Sequence, residues 1–258
     1  MNLWNRSVFR FACSFVLILT AASCASTKDR VSDAERDGEL YYELGVRNLV
    51  EGNIEKAFFE LAKAERLKPK DAKVHFALGT AYLYRGQAEM AVESFRKTVR
   101  LDPGHADAYN NLGAAYLMLK RWDEAIEACQ KALDQLGYRT PEKALTIMGW
   151  AHYKKGEPAE AVNLLRRALS VSPKAPDPSN KLAEIYLEQG NIQKAKPILQ
   201  ELVRTVPQFA KARLNMGIVY YKERDFVAAR DEFQAVIELS DRDSEDAQLA
   251  RGYLDLIE

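Results

Sequence analysis

Several features that would indicate an enzyme or a nucleic-acid binder are missing from this sequence of 258 residues. Lys and Arg together number 37, as do Asp and Glu, so the formal net charge is zero. Proteins that bind phosphate backbones need clustered, excess Lys and Arg, so a nucleic-acid partner is not expected. Hydrophobic residues nevertheless make up 47% of the chain, which argues against overall disorder and predicts a folded core.

Motifs that carry catalysis are also missing. The three histidines, His75, His105 and His152, are well separated, and no H-E-x-x-H, G-x-S-x-G, P-loop or G-x-G-x-x-G pattern occurs. We therefore predict no catalytic residues, no metal site and no small-molecule substrate. One alternative is an enzyme subunit or regulator whose chemistry is hidden in a groove, which turnover of a substrate by the purified protein would support.

No apolar run reaches the roughly 20 residues that a membrane-spanning helix needs. The first 23 residues contain no Asp or Glu, two arginines (Arg6 and Arg10) and then an apolar run over 11–19. This pattern predicts a secretory signal peptide at residues 1–23 rather than a transmembrane anchor. The small residues at 21–23 lead directly into Cys24, and this junction resembles the lipobox of bacterial lipoproteins.

The lipobox resemblance implies that Cys24 is lipidated and becomes the mature N-terminus. With Ala25 in place of Asp after the cysteine, it also implies an outer-membrane protein of a Gram-negative bacterium, lipid-anchored and facing the periplasm. The covalent lipid on Cys24 is then the only added group, and no cofactor is expected. The alternative is a plain signal peptide and a soluble periplasmic protein. Residues 24–37 are polar and aperiodic, and we interpret them as a flexible tether.

Cysteines are too few for a disulfide in the mature chain. Cys13 lies in the predicted signal peptide and Cys24 would be acylated, which leaves Cys129 alone. Removal of residues 1–23 takes away two basic residues and no acidic one, so the mature chain has a net charge of −2. The lipid, rather than charge, would therefore have to hold the protein on the membrane.

Pairs of an apolar and a small residue recur with a period of 34 residues. They begin at Leu44, Leu78 and Leu112 and, after a slip of two residues, at Met148, Leu182 and Met216. An Ala follows twelve residues after the second member of each pair, and in most units a Pro follows twelve residues later. This pattern resembles the tetratricopeptide repeat (TPR), a helix–turn–helix unit of 34 residues.

The TPR resemblance implies an all-α fold, a right-handed superhelix (α-solenoid) of six helix–turn–helix repeats over residues 38–243. The repeats start near residues 38, 72, 106, 142, 176 and 210. Residues 244–258 predict a C-terminal capping helix, with Leu249 among the residues on its apolar side. Glycines mark four of the turns within repeats, whereas Lys120 and Arg224 occupy the other two. The third-to-fourth junction, residues 134–142, is two residues longer than the others and either serves function or is a harmless longer loop. Thr140 is predicted to cap the next helix.

A solenoid binds partners on its concave surface, which in TPR arrays is lined by the first helix of each repeat. This resemblance assigns a partner-binding groove to Tyr42, Leu49, Phe76, Leu83, Tyr84, Asn110, Asn111, Leu117, Met118, Trp150, Tyr153, Leu187, Leu214, Ile218 and Tyr221. Apolar and aromatic linings of this kind are typical of protein interaction sites. For the aromatic residues, packing between helices is the alternative to a groove. For Asn110 and Asn111, generic repeat consensus is favoured over hydrogen bonding to a ligand backbone.

The longer junction contains Tyr138, Thr140 and Pro141 and is similar to a Tyr-x-Thr-Pro stretch of the type IV pilus pilotins. These are TPR outer-membrane lipoproteins, and the resemblance extends over most of residues 38–241. It implies a protein partner, a secretin subunit, whose localisation and assembly the pilotin promotes. The alternative is a general TPR envelope scaffold that docks peptidoglycan enzymes or proteases.

Overall fold

The computed structural model describes residues 33–257, which form thirteen α-helices and no strand. The predicted signal peptide, Cys24 and residues 25–32 lie outside the described range. The helices are α1 (33–50), α2 (Ile54–Leu67), α3 (Ala72–Tyr84), α4 (Ala88–Leu101), α5 (Ala106–Met118), α6 (Trp122–Leu133), α7 (Pro141–Lys154), α8 (Pro158–Val171), α9 (Pro176–Glu188), α10 (Ile192–Thr205), α11 (Ala210–Lys222), α12 (Phe226–Leu239) and α13 (Glu245–Asp255). The chain divides into two compact units. The first unit ends at Pro103 and the second begins at Gly104.

The first unit comprises α1–α4, and its core lies between helices that follow one another in sequence. Helix α2 packs on α3, and α3 packs on α4. Leu61 and Val74 are fully buried in the cluster that joins α2 and α3. A Cβ on Gly45 would lie 2.6 Å from Cγ of Leu61, which shows how closely α1 approaches α2.

The second unit comprises α5–α13, arranged as four helix–turn–helix pairs and a final helix. The pairs are α5–α6, α7–α8, α9–α10 and α11–α12, and the first helices of successive pairs also contact one another, from α5 through α7, α9 and α11 to α13. Within this part of the structure, the second helices of successive pairs make no such contacts. The unit therefore curves with its first helices on the inner side. The expectation of an all-α fold of repeated helix pairs is confirmed.

Close approach within a pair requires a small residue where the helices cross. A Cβ on Gly113 of α5 would lie 2.3 Å from Sγ of Cys129 and 3.2 Å from the carbonyl oxygen of Ala125, both on α6. Cys129 is fully buried and occupies the position that Phe95 and Phe233 take in other pairs. It is thus a small core residue rather than a reactive one, and burial raises the pKa of its thiol to about 12.

The turns within repeats use left-handed backbone conformations. Lys120 and Arg224 have φ values of 58° and 64°. Glycines at the corresponding turns of other repeats also have positive φ, for example 72° at Gly86. The N–H of Lys120 donates to the carbonyl of Leu117, and the next N–H, of Arg121, donates to Tyr116. These bonds close the helix end in the manner of a Schellman motif, for which glycine is the favoured residue. Two repeats therefore place a side chain where it is strained.

Three details differ from the sequence-based expectations. Residues 33–37, assigned to the tether, lie in α1, and they include no glycine or proline that would break the helix. Thr140 makes no side-chain capping bond to α7, whose start is fixed by Pro141 at its first turn. In α13, Ser244 caps the helix, but Leu249, expected on the packed side, is 46% exposed.

Candidate protein-binding surface

In the first unit, the predicted groove residues lie on α1 and α3. Tyr42 and Leu49 are half-buried and pack against the core cluster of that unit. Phe76 and Leu83 are also half-buried, whereas Tyr84 is 66% exposed. Burial raises the pKa of Tyr42, and the nearby Glu39 and Asp71 raise it further. These residues offer aromatic surface that is only partly covered by the unit itself.

In the second unit, the predicted groove residues divide between core and surface. Leu187 and Leu214 are at most 7% exposed and belong to core clusters, because their positions on α9 and α11 face neighbouring helices. These two leucines therefore pack between helices and do not line an open groove. Asn111, Leu117, Trp150 and Tyr153 are half-buried, and Met118 is 50% exposed.

The C-terminal end of the predicted groove is covered by the last helix. Ile218 and Tyr221 on α11 pack with the same core cluster as Tyr253 and Leu254 of α13. The rings of Tyr221 and Tyr253 meet edge to face with centroids 5.2 Å apart. The accessible part of the inner side of this unit is therefore centred on α7 and α9 rather than on α11.

A cavity of about 670 Å³ opens at this centre. One part of its lining is apolar, from Leu117, Ile147, Trp150 and Phe209. The remainder is polar and includes two amides, two acidic residues and four lysines: Asn110, Asn180, Glu142, Asp177, Lys143, Lys174, Lys181 and Lys211. The four lysines were not predicted from the sequence, because an isolated Lys on a helix is usually a solvated residue. Lys143 and Lys211 occupy equivalent positions near the starts of α7 and α11, but Asp177 takes that position in α9, so no recurring sequence pattern marks the four lysines.

An aromatic pair and two lysines contact one another at Trp150, which lines the cavity. Trp150 and Tyr153 of α7 are stacked with ring centroids 5.2 Å apart. The Nζ atom of Lys181 lies 3.6 Å from the centre of the Trp150 ring, and that of Lys154 lies 4.5 Å from it. Cations over an aromatic face are attracted by the ring quadrupole, so the indole holds Lys181 in place without neutralising its charge.

Titratable groups around the aromatic pair are perturbed mainly by burial. Desolvation lowers the pKa of Lys181, and the neighbouring Lys211 and Lys154 lower it further, against the attraction of Glu184 and Asp177. Desolvation also raises the pKa of Glu184. The hydroxyl of Tyr153 donates to the carboxylate of Glu188, and burial together with this bond raises the pKa of the tyrosine. The site is thus partly dehydrated, which strengthens its electrostatic interactions.

The longer junction between α6 and α7 places Tyr138 against the core and Leu136 in solvent. Tyr138 packs against the cluster that contains Cys129 and Leu145, and burial raises its pKa to about 12. Leu136 is fully exposed. Tyr138 therefore anchors the loop. Glu142, the last residue of the junction, lines the cavity, whereas Thr140 and Pro141 are not among the lining residues.

The described residues contain no cluster of His, Cys, Asp and Glu that could hold a metal ion. Over the same range, no helix combines the length and the apolar character that a bilayer crossing demands. What the inner side of the second unit does offer is a cavity with an apolar wall, fixed amides and positive charge. Such a surface is suited to binding a peptide segment.

Comparison with known proteins identifies the repeats. Two family models, both described as tetratricopeptide repeat, match the chain, one at residues 76–139 and the other at residues 152–208 and 187–252. Together they cover more than half of the chain, which therefore belongs to the tetratricopeptide-repeat family. Proteins of this family bind protein partners and are typically non-enzymatic scaffolds.

Solved structures with the same fold include two pilus proteins. PilF from Pseudomonas aeruginosa is 21% identical, with a TM-score of 0.67 over 86% of this chain and 99% of PilF. PilW, described as a widely conserved type IV pilus biogenesis factor, is 23% identical, with a TM-score of 0.70 over 82% of this chain and 97% of PilW. A tetratricopeptide-repeat protein from Parabacteroides merdae is 15% identical, with a TM-score of 0.73 over 98% of both chains. No curated protein sequence matches the chain.

Proposed function

We propose that this protein is a pilotin, a lipid-anchored protein of the outer membrane that binds secretin subunits and promotes their assembly into the pore of type IV pili. The proposal starts from the finding that the chain is a TPR protein-interaction scaffold similar in fold to pilus-biogenesis factors. The observation that carries the proposal is the match to PilF and PilW over 99% and 97% of their chains. Nearly the whole length of each pilus protein, rather than a few shared repeats, is therefore similar to this chain.

The cavity of the second unit supports the binding part of this proposal. Its aromatic wall contains Trp150, and its rim contains charged and amide side chains, the combination that is enriched at interface cores and their surroundings. Truncation of Trp150 and Tyr153 to alanine should weaken partner binding more than it destabilises the fold, because both rings are only half-buried. Loss of the folded state in a melting curve would instead make them core residues.

The anchoring part of the proposal rests on Cys24 and the residues before it. Two or more acyl chains on one cysteine bind a membrane stably, whereas one chain binds only marginally. A tethered TPR body at the outer membrane would meet secretin subunits where they assemble. The proposal assigns no chemistry to the protein, and its effect on assembly would come from binding alone.

The test is the oligomeric state of the pilus secretin in membranes from a strain that lacks this protein. We expect heat-resistant secretin multimers on a denaturing gel from wild-type membranes and mainly monomers from the deletion strain. The wild-type gene should restore the multimers, the Cys24→Ser variant should restore them less well, and the Trp150→Ala/Tyr153→Ala variant should restore them poorly at normal protein levels. Unchanged multimers in the deletion strain would refute the pilotin role and leave a general envelope scaffold as the interpretation.

A further inference from the structure

The outer side of α1 is uncovered, although it carries the kinds of side chain that later repeats bury. Leu40 is 52% exposed, whereas the corresponding residue of each later repeat is buried: Val74, Ala108, Ala144, Pro178 and Ala212. Leu44 is half-buried, and its counterparts are at most 7% exposed: Leu78, Leu112, Met148, Leu182 and Met216. In the later repeats the preceding second helix provides the cover, as α2 does for α3. Among the described residues no helix precedes α1, so its outer side stays open.

Phe59 of α2 adds an exposed aromatic ring to the same side. It is 62% exposed, and the later repeats place mostly acidic, exposed residues at its position: Glu93, Glu127, Asn163, Pro197 and Asp231. The Nζ atom of Lys63 lies 4.0 Å from the centre of the Phe59 ring and 4.7 Å from that of Tyr41 on α1, and it pairs with Glu60 at 3.1 Å. Lys63 thus joins the two rings without adding net charge. The resulting surface, the end face, consists of Leu40, Tyr41, Leu44, Phe59 and Lys63.

The end face departs from the rule for the ends of solenoids. Terminal repeats normally carry a polar outer side, which keeps the array soluble. The outer side of the first repeat instead presents two leucines and two aromatic rings. Exposed apolar surface with a polar rim marks a contact site for another protein or for a membrane, and exposed Arg36, Glu43 and Arg47 of α1 supply such a rim. The end face is therefore a docking surface that the first unit leaves open.

The position of the end face relative to the predicted lipid anchor selects the membrane as its occupant. Helix α1 begins at residue 33, nine residues after Cys24, and nine extended residues span at most roughly 30 Å. Leu40 and Tyr41 follow within about 12 Å along the helix axis. A lipidated Cys24 would therefore hold the end face within reach of the bilayer, so that the effective concentration of lipid at this surface is high.

From these observations we propose that the end face docks on the surface of the membrane to which the protein is anchored. Leu40 and Phe59 enter the upper part of the acyl chains, while the hydroxyl of Tyr41 and the Nζ atom of Lys63 stay among the headgroups. Tyr and Lys suit this level because each has an apolar body and a polar tip. The inference rests on the proposed lipid anchor at Cys24 and adds a second contact, which fixes the orientation of the first unit on the bilayer.

Charge and size both favour an apolar contact with lipid. The exposed charges around Leu40 on α1 are of both signs, with Asp37 and Glu43 against Arg36 and Arg47, so they give no net attraction to anionic lipid. A specific protein interface takes roughly 20–30 residues on each side, far more than the end face offers. A bilayer, in contrast, accepts a small apolar surface without a matching shape. The docking is therefore apolar and independent of anionic lipid.

The experiment measures this contact in the lipidated, mature protein reconstituted into vesicles of phosphatidylethanolamine and phosphatidylcholine. The environment-sensitive dye NBD is attached to Glu43→Cys, one helical turn from Leu40, while the buried Cys129 stays unlabelled. A second set of vesicles contains lipids with a nitroxide quencher near the top of the acyl chain. We expect the emission to shift to the blue and the nitroxide lipids to quench it at least about twofold. The same dye on Glu93→Cys, at an exposed position of α4, should show neither effect.

Matched variants locate the contact on the end face. Leu40→Glu/Phe59→Glu should lower the ratio of docked to undocked protein at least about tenfold. Both side chains are more than half exposed, so the melting temperature should change little. The control Val227→Glu, at a 71% exposed position of α12, should leave the quenching unchanged. If the double variant melts early, Phe59→Glu alone gives the same test, because two later repeats fold with glutamate at this position.

Several outcomes would overturn the inference. One is equal quenching at positions 43 and 93, and another is a Leu40→Glu/Phe59→Glu protein that is quenched like the wild type. Quenching that requires phosphatidylglycerol and disappears in salt would assign the contact to charge. Energy transfer between dyes at position 43 of separate copies, without quenching by lipid, would assign the end face to a second copy. Absence of quenching in protein that stays membrane-bound would refute only this inference, whereas wild-type protein in the soluble fraction of cells would refute the proposed anchor.

Discussion

The crossing of α5 and α6 allows a sharp test of the repeat packing through Gly113 and Cys129. A Cβ at position 113 would lie 2.3 Å from Sγ of Cys129, more than 1 Å closer than the roughly 3.5–4.0 Å of an ordinary contact. Because both helices are packed on other elements, they cannot separate freely. Gly113→Ala should therefore overpack the crossing, and removal of Sγ should relieve it.

The magnitude follows from two opposing effects. Overpacking of a core costs about 1–3 kcal/mol, while replacement of Gly by Ala in a helix gains about 1 kcal/mol. We expect Gly113→Ala to lower the free energy of unfolding by about 0–2 kcal/mol in the natural sequence. With Cys129→Ala the nearest atom becomes the carbonyl oxygen of Ala125, 3.2 Å away. In that background, Gly113→Ala should be neutral or stabilising by up to about 1 kcal/mol.

The assay is urea unfolding of the four proteins of this double-mutant cycle, followed by circular dichroism. The coupling between the two substitutions should equal the relieved overpacking cost, about 1–3 kcal/mol in favour of the double variant. Gly149→Ala is a matched control in the next pair, where the Cβ would lie 3.0 Å from Cγ of Leu165 and the cost should be smaller. Additive effects at positions 113 and 129, within about 0.5 kcal/mol, would refute the close approach described here.

Three further predictions concern the backbone and the anchor. Lys120→Gly and Arg224→Gly should each raise the free energy of unfolding by about 1 kcal/mol in urea titrations, because both residues have positive φ; no gain at either site would contradict the strain. Pro197→Ala in the interior of α10 should stabilise by about 1–3 kcal/mol and raise the melting temperature, whereas Pro158→Ala at the first turn of α8 should be nearly neutral. Equal stability changes for the two proline substitutions would show that Pro197 does not destabilise α10. Cys24→Ser should move the protein from the membrane to the soluble fraction, and a variant that still sediments with the outer membrane would rule out the lipid anchor.

Most of the fold could be predicted from the sequence, because TPR structure is local and periodic. The helix starts at Ala72, Ala106 and Ala210 coincide with the predicted repeat starts, and the positive φ at Lys120 follows from its alignment with turn glycines. Each repeat imposes the same steric requirements, so the position of a residue within one repeat predicts its environment in the next repeat. Cys129 illustrates this, because it takes in its helix pair the buried position that Phe95 and Phe233 take in theirs.

The candidate site could be predicted only in part, because it depends on side chains from several repeats. Periodicity identified the first helices but could not separate Leu187, which is buried between helices, from Trp150, which is not. The lysines were missed because each is unremarkable on its own helix, and only the curvature of the second unit gathers them around one cavity. Among the described residues, Oδ1 of Asn110 is buried without a hydrogen-bond partner, and this depends on the rotamers of two neighbouring amides, which no sequence pattern encodes.

The central claim is that the inner side of the second unit binds a secretin subunit, and in-cell photo-crosslinking tests it most directly. A photo-crosslinking amino acid is placed at Trp150 in the cavity lining or, as the control, at the exposed Arg167 on the second helix of the same repeat. We predict a crosslink to the secretin from position 150 and none from position 167. No secretin crosslink from position 150, or equal crosslinks from both positions, would contradict the claim.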